Sequence, residues 1–117
     1  MTDAASGGSH ALTLKVEGNK LFQRGNYAKA SEKYKEAIAL DPTVPAFYSN
    51  LCICHSKLSK FEEMEVSARK CIALDNNFIK GHYWLAMSLK CRKMYRDAVN
   101  VCDNALEIDP SNSGILQ

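Results

Sequence analysis

Residues 15–42, KVEGNKLFQRGNYAKASEKYKEAIALDP, decide the fold of this chain. Two further copies follow at a constant offset of 34 residues, so that Asp41 recurs as Asp75 and Asp109. Small, aromatic and aliphatic residues keep the same offset over all three copies. They are Gly18, Cys52 and Ala86; Tyr27, Phe61 and Tyr95; Ala30, Met64 and Ala98; Ala37, Cys71 and Ala105; and Leu40, Leu74 and Ile108. This agreement predicts an internal repeat of one structural unit.

Each copy contains two blocks whose apolar residues follow the helical period. Gly25-Asn26 separates the blocks of the first copy, and Asp41-Pro42 ends it, because proline cannot continue a helix. A period of about 34 residues built from helix pairs is typical of a tetratricopeptide array. We therefore predict an all-α fold, a right-handed superhelical array of three tetratricopeptide helix pairs over residues 11–112. The pairs occupy residues 11–44, 45–78 and 79–112.

The two ends of the chain differ from the repeats in composition. Residues 1–10, MTDAASGGSH, are small, polar and glycine-rich, so we expect a disordered leader there. Such arrays usually end in a capping helix with a polar outer face. We expect residues 113–117 to be a tail or the start of a truncated capping helix. We accordingly expect either that the chain is a fragment of a longer protein or that another chain covers the last pair.

Bulk properties limit the classes of partner and compartment. A formal charge of +2 is too small to indicate a nucleic-acid partner, and no run of Lys and Arg is interleaved with aromatic residues. No apolar run approaches the roughly 20 residues that span a bilayer. The five cysteines are odd in number and lack a Cys-x-x-Cys pair, so we expect small buried side chains rather than a metal or redox site. These features predict a cytoplasmic protein without a membrane partner, a metal or another cofactor.

The sequence carries no pattern that would indicate an enzyme. It lacks a recognisable serine–histidine–acid motif, a phosphate-binding glycine loop and a His-x-x-x-His pair of metal ligands. The three histidines, His10, His55 and His82, occupy the leader and two ordinary helical positions, where surface or packing roles are expected. We predict no enzymatic activity and no catalytic residues.

The informative polar residues lie on the first helix of each pair. Lys15 and Asn19 are four residues apart and share a helix face, while Asn50 and Lys80 follow on the next two first helices. In a stacked array these helices lie side by side, so the four residues would line one wall. Two ammonium groups and two carboxamides suit one carboxylate or two neighbouring carboxylates. In the alternative interpretation, the lysines are solvated and the asparagines bond to loops.

Residues 11–112 resemble the tetratricopeptide domains of chaperone-binding co-chaperones. In that family a carboxylate clamp grips the C-terminal Asp of the Glu-Glu-Val-Asp peptide of the seventy- and ninety-kilodalton heat-shock chaperones. Its first helix supplies Lys and Asn, the third Asn, and the fifth Lys and then Arg. Lys15, Asn19, Asn50 and Lys80 match four of these five positions. The resemblance implies a co-chaperone adaptor whose partner is this chaperone peptide.

The fifth clamp position departs from the family pattern, because Trp84 stands where most clamps have Arg. The ubiquitin-ligase co-chaperones of the CHIP family show the same departure, with Lys-x-His-Phe-Phe-Leu in the fifth helix. Residues 80–85, KGHYWL, are similar to that motif. The resemblance implies that Tyr83 and Trp84, with Phe22 and Ile53, form apolar walls for the ligand's Val and for the residue before the acidic pair. The alternative for Trp84 is core packing between helix pairs.

Two other functions remain open at this stage. A tetratricopeptide scaffold that docks an internal segment or a folded partner would not distinguish a free C-terminal carboxylate from an amide. An assembly module would self-associate through the uncapped last helix pair and would show a mass that depends on concentration. The clamp predicts instead a site that needs the terminal carboxylate.

Overall fold

The computed structural model describes residues 3–109, with side chains from His10 onward. Six α-helices make up this part of the chain, and it contains no strand. Consecutive helices pack against each other along the whole array, and α3 also packs directly against α5. The helices are α1 (Asp3–Gln23), α2 (Tyr27–Leu40), α3 (Pro45–Lys57), α4 (Phe61–Leu74), α5 (Ile79–Cys91) and α6 (Tyr95–Ile108). This architecture confirms the predicted all-α array of three helix pairs.

The N-terminal segment differs from its prediction. Residues 3–10 continue α1 as helix, where composition favoured a disordered leader. Helix propagation adds one hydrogen bond for each residue fixed, so a nucleated helix extends into a segment that would not form one alone. The predicted tail at 113–117, and residues 110–112 at the end of the third pair, lie outside the described residues.

The turn inside each helix pair is the same Schellman motif, repeated at the 34-residue offset. In the first, the Asn26 amide donates to the Leu21 carbonyl and the Gly25 amide to the Phe22 carbonyl, both at 2.9 Å. The residue after such a helix end adopts a left-handed conformation, which glycine adopts without strain. Gly25 has φ +79°, but Ser59 (φ 58°) and Lys93 (φ 65°) hold the same conformation with a side chain. Two of the three turns are therefore strained.

The turns between pairs use an aspartate. Asp41 Oδ1 accepts hydrogen bonds from the Thr43 hydroxyl at 2.6 Å and the Thr43 amide at 3.2 Å. These bonds lower the pKa of Asp41, the hydroxyl bond having the larger effect. Asp75 Oδ1 accepts from the Asn77 amide at 3.0 Å in the same way. The repeated Asp of the sequence thus closes one pair and directs the chain into the next.

Helices α1 and α2 cross very closely at Gly18. A Cβ atom at this position would lie 2.6 Å from Cε1 of Tyr34, which is far inside van der Waals contact. The third pair has Ala86 in this register. Gly81 plays a similar part between α4 and α5, where a Cβ would meet the Cβ of Cys71 at 3.1 Å. Small residues at these positions let the helices pack at the observed distance.

The core consists of three clusters, each spanning more than one helix. The first contains Ala11, Leu14, Ala37 and Phe47; the second Ala30, Tyr34, Leu51 and Cys54; and the third Cys52, Met64, Ala68, Leu85, Leu89 and Ala98.

All five cysteines are free thiols. Cys52, Cys54 and Cys71 are buried, as expected of small packing residues, whereas Cys102 is half-buried and Cys91 exposed. Burial raises the pKa of Cys54 and of Cys71 to about 11, and that of Cys52 further, so these thiols stay protonated.

Candidate functional site

The first helix of each pair (α1, α3 and α5) is here called an inner helix, and the second (α2, α4 and α6) an outer helix. Inner helices α3 and α5 contain no Asp or Glu, whereas each outer helix has two or three. Among the α1 residues whose side chains are described, Glu17 is the acidic one. Its Oε2 atom lies 3.5 Å from Lys33 Nζ of α2, an ion pair. The inner helices therefore present basic and neutral polar groups with little competing negative charge.

Lys15 is a half-buried cation with no ion-pair partner among the described residues. Of the described lysines, Lys15 and Lys33 are half-buried and the others are exposed. Lys33 lies 3.5 Å from Glu17 and 3.8 Å from Glu36. Lys15 has no such ion pair among the described residues. Because partial burial removes water from a charge, this ammonium group is suited to an anion supplied from outside the chain.

Asn19 lies one turn after Lys15 and is held by a neighbour from α2. The Tyr34 hydroxyl donates to Asn19 Oδ1 at 2.6 Å. Burial raises the pKa of Tyr34 to about 12, with a smaller contribution from Cys54, so the hydroxyl keeps its proton. With its oxygen occupied by this donor, the Asn19 carboxamide keeps its NH₂ group for another acceptor. The side chain is thus oriented as a hydrogen-bond donor.

Asn50 and Lys80 lie on the other two inner helices and have different exposure. Asn50 is half-buried on α3, and Lys80 is exposed in the first turn of α5. Among the described residues none of the four polar site residues hydrogen-bonds to another, so their polar groups do not satisfy one another.

Tyr83 and Trp84 form an aromatic pair on α5. Their ring centroids are 4.8 Å apart with an interplanar angle of 77°, an edge-to-face arrangement. Trp84 is half-buried and packs against the third core cluster, while its Nε1–H donates to Ser49 Oγ at 3.2 Å. Trp84 therefore packs in the core, as the alternative interpretation of the sequence expected, and it remains partly accessible.

The other two residues of the expected apolar pocket lie on α1 and α3. The ring of Phe22 meets Tyr27 at 5.0 Å, at the turn of the first pair, and packs against the second core cluster. Ile53 is half-buried on α3, one turn after Asn50. Phe22 thus contributes to the core of the first two pairs.

Sequence reasoning missed two residues that fix the site. Tyr34 orients Asn19, and Ser49 holds Trp84. The 34-residue register could have indicated Ser49, since it places this residue in the same position as Lys15 and Tyr83 on their helices. No local signal marks Tyr34, because its partner lies 15 residues away on another helix.

The histidines have structural surroundings. His82 Nε2 is 2.8 Å from the Asn76 carbonyl oxygen and ties the start of α5 to the preceding turn. His55 is buried and its pKa is lowered, chiefly by that burial. His10 is exposed. In the described part of the chain no three His, Cys, Asp or Glu side chains are grouped to hold a metal, and none of the helices is long and apolar enough to cross a membrane.

Comparison with known proteins agrees with this helical repeat. The profile of the TPR (tetratricopeptide) repeat family matches residues 18–58. The E3 ubiquitin-protein ligase CHIP of Arabidopsis thaliana is 37% identical over 98 residues, which cover 84% of this chain and 35% of that protein. The chain thus spans about a third of the length of this curated relative.

Two solved structures have the same fold. The first TPR domain of Spaghetti (RPAP3), bound to the HSP90 peptide SRMEEVD, superimposes with a TM-score of 0.88 at 26% identity, covering 93% of this chain and 86% of that one. The TPR2B domain of yeast Sti1, in complex with pHsp70, gives 0.82 at 28% identity, covering 89% and 84%. This chain is therefore a tetratricopeptide repeat domain by its fold, and it is similar to the TPR domains of RPAP3 and Sti1.

Proposed function

We propose that this chain is a co-chaperone adaptor domain that binds the C-terminal Glu-Glu-Val-Asp peptide of the seventy- and ninety-kilodalton heat-shock chaperones. The observation that carries the proposal is the half-buried, unpaired ammonium group of Lys15 beside the oriented carboxamide of Asn19. The solved relatives named above bind peptides of HSP90 and Hsp70. The low acidic content of the inner helices favours an anionic ligand.

In the proposed mechanism an extended peptide is captured without any chemical step. Lys15, Asn19 and Asn50 hold the two carboxylates of the terminal Asp, its α-carboxylate and its side chain, through charge-assisted hydrogen bonds. Lys80 contacts the side-chain carboxylate or a backbone carbonyl. A few such bonds and one or two apolar contacts, less the entropy of ordering a short peptide, leave about micromolar affinity, near −8 kcal/mol.

The apolar part of the proposed site centres on Tyr83 and Trp84, with Ile53 on the neighbouring helix. Phe22 was assigned to the same pocket, and its contacts with Tyr27 and the core favour a supporting role at the α1 end. We infer a cytoplasmic location, because five free cysteines suit a reducing compartment. Ligase activity, which the CHIP relative has by name, is not assigned to this domain.

The decisive experiment compares labelled Met-Glu-Glu-Val-Asp as a free acid and as a C-terminal amide. Amidation removes one of the two terminal carboxylates and should weaken binding at least tenfold, since the half-buried Lys15 ammonium group then loses a partner. A scrambled peptide of the same composition controls for charge alone. Equal affinity for the acid and the amide would refute the clamp and would favour docking of an internal segment.

A further inference from the structure

Trp84 has one polar atom, and that atom is already bonded inside the protein. The Nε1–H points to α3, where it donates to Ser49 Oγ at 3.2 Å. An indole has no other hydrogen-bonding group. All remaining ring atoms are carbon, so whatever meets the accessible part of this ring meets an apolar surface. The side chain that replaces the usual clamp Arg therefore offers a ligand no free hydrogen-bonding group.

Ser49 is placed to enforce this orientation. It is buried at 3% exposure, and it precedes Asn50 on α3. A buried indole N–H without an acceptor is unfavourable, so the ring conformation that reaches Ser49 is preferred over one that turns the N–H toward solvent or ligand. Tyr83, which meets the ring edge-to-face at 4.8 Å, restricts it from another side.

We propose that Ser49 is a positioning residue for Trp84: its hydroxyl holds the indole with the N–H turned inward, and this sharpens the apolar preference that the proposed function already expects for the residue immediately before the acidic pair. This inference rests on the proposed function, because it concerns a peptide already anchored by its C-terminal Asp. Without the Ser49 hydroxyl, the ring can rotate and offer its N–H to a polar side chain of the ligand. The preference between peptides then falls, while binding of the terminal carboxylates by Lys15 and Asn19 persists.

The test uses two free-acid peptides of similar shape, Met-Glu-Glu-Val-Asp and Gln-Glu-Glu-Val-Asp. The native domain should bind the Met peptide about tenfold more tightly than the Gln peptide, the scale expected for a small apolar subsite. Ser49→Ala should reduce this preference to about threefold or less. Trp84→Phe removes the N–H altogether, so adding Ser49→Ala to that variant should leave its preference unchanged. Thermal unfolding of each variant confirms that it is folded.

Trp84 is the sole tryptophan of the chain, so its emission reports on the ring directly. In the unliganded domain, Ser49→Ala should shift the emission to longer wavelength as the N–H turns to water. The inference would be overturned if Ser49→Ala kept a preference for the Met peptide within twofold of the native value. It would also be overturned if Ser49→Ala caused the same loss of preference in the Trp84→Phe background. If neither peptide bound to the native domain, the proposed function would fail. If the emission of Ser49→Ala were the same as that of the native domain, the positioning role of Ser49 would be overturned separately.

Discussion

The first and third helix pairs are copies of one 34-residue unit, yet they present different chemistry. The first pair has Lys15 and Asn19 on its inner helix, and its outer helix supplies Tyr34 to orient the amide. The third pair has Tyr83 and Trp84 on its inner helix, and Trp84 is held by Ser49 of the preceding pair. In the proposed site the first pair supplies the half-buried charge, and the third pair supplies the apolar contacts together with the exposed Lys80. A repeat scaffold separates these tasks because each pair contacts only its neighbours.

Helices α1 and α2 cross closely at Gly18 in the first pair, and breaking this crossing should have the largest effect. In Gly18→Ala the new Cβ would meet the buried Tyr34 ring at 2.6 Å, so the ring must move and release Asn19. We expect a loss of about 1–3 kcal/mol in unfolding free energy, although Ala favours a helix. Peptide affinity should fall as well. Chemical denaturation and peptide titration measure both effects.

Ala86→Gly is the matched control in the third pair, since it occupies the same register. It should cost about 0.5–1 kcal/mol through helix propensity alone and should leave peptide affinity unchanged. If Gly18→Ala kept native stability and affinity, the two pairs would not differ in the way described.

Lys15 and Lys80 are the charged residues of the two ends, and their exposure predicts unequal contributions. Lys15→Ala removes a half-buried cation from a site without a spare and should weaken binding of the free-acid peptide at least tenfold, about 1.4 kcal/mol. Lys80→Ala removes an exposed charge and should weaken binding about two- to threefold. Isothermal titration with both variants measures the difference. Lys29→Ala on outer helix α2 controls for net charge, and a near-native titration of Lys15→Ala would rule out the clamp.

Salt should act on the two ends differently. Raising ionic strength from about 0.1 M to about 1 M shortens the screening length from roughly 10 Å to roughly 3 Å. The affinity for Met-Glu-Glu-Val-Asp should therefore fall several-fold, because the first pair binds through charge. The ratio of affinities for the Met and Gln peptides should stay within about twofold, because the third pair contacts apolar groups. A ratio that followed the salt dependence would show that the two ends are not independent.

The turns of the two pairs also differ, because the first is relaxed and the third is strained. Lys93→Gly removes a left-handed non-glycine residue and should raise the unfolding free energy by about 0.5–1 kcal/mol, after the entropy that glycine adds to the unfolded chain. Gly25→Ala should lower it by about 1–2 kcal/mol. Lys93→Ala, which removes the charge but keeps the strain, should not stabilise. Thermal unfolding distinguishes these outcomes.

The sequence determined the helices and their register. Repeats at a fixed offset predicted the three helix pairs, and Gly25-Asn26 and Asp41-Pro42 directly flank α2, because turn-forming and helix-breaking residues act locally. The same register identified Lys15, Asn19, Asn50 and Lys80 as residues of the inner helices. The composition of residues 3–10 favoured disorder, but α1 continues through them, since helix propagation depends on the segment that follows.

Only the tertiary structure decided how these side chains are held. Tyr34 fixes the amide of Asn19 from another helix, Ser49 consumes the polar atom of Trp84, and Phe22 meets Tyr27 rather than the aromatic pair of α5. Lys15 and Lys80 are the same residue type, yet one is half-buried and the other exposed. Local sequence specifies which residues a helix carries. Which partner each side chain meets depends on how neighbouring helices cross, and that depends on packing between residues far apart in the chain.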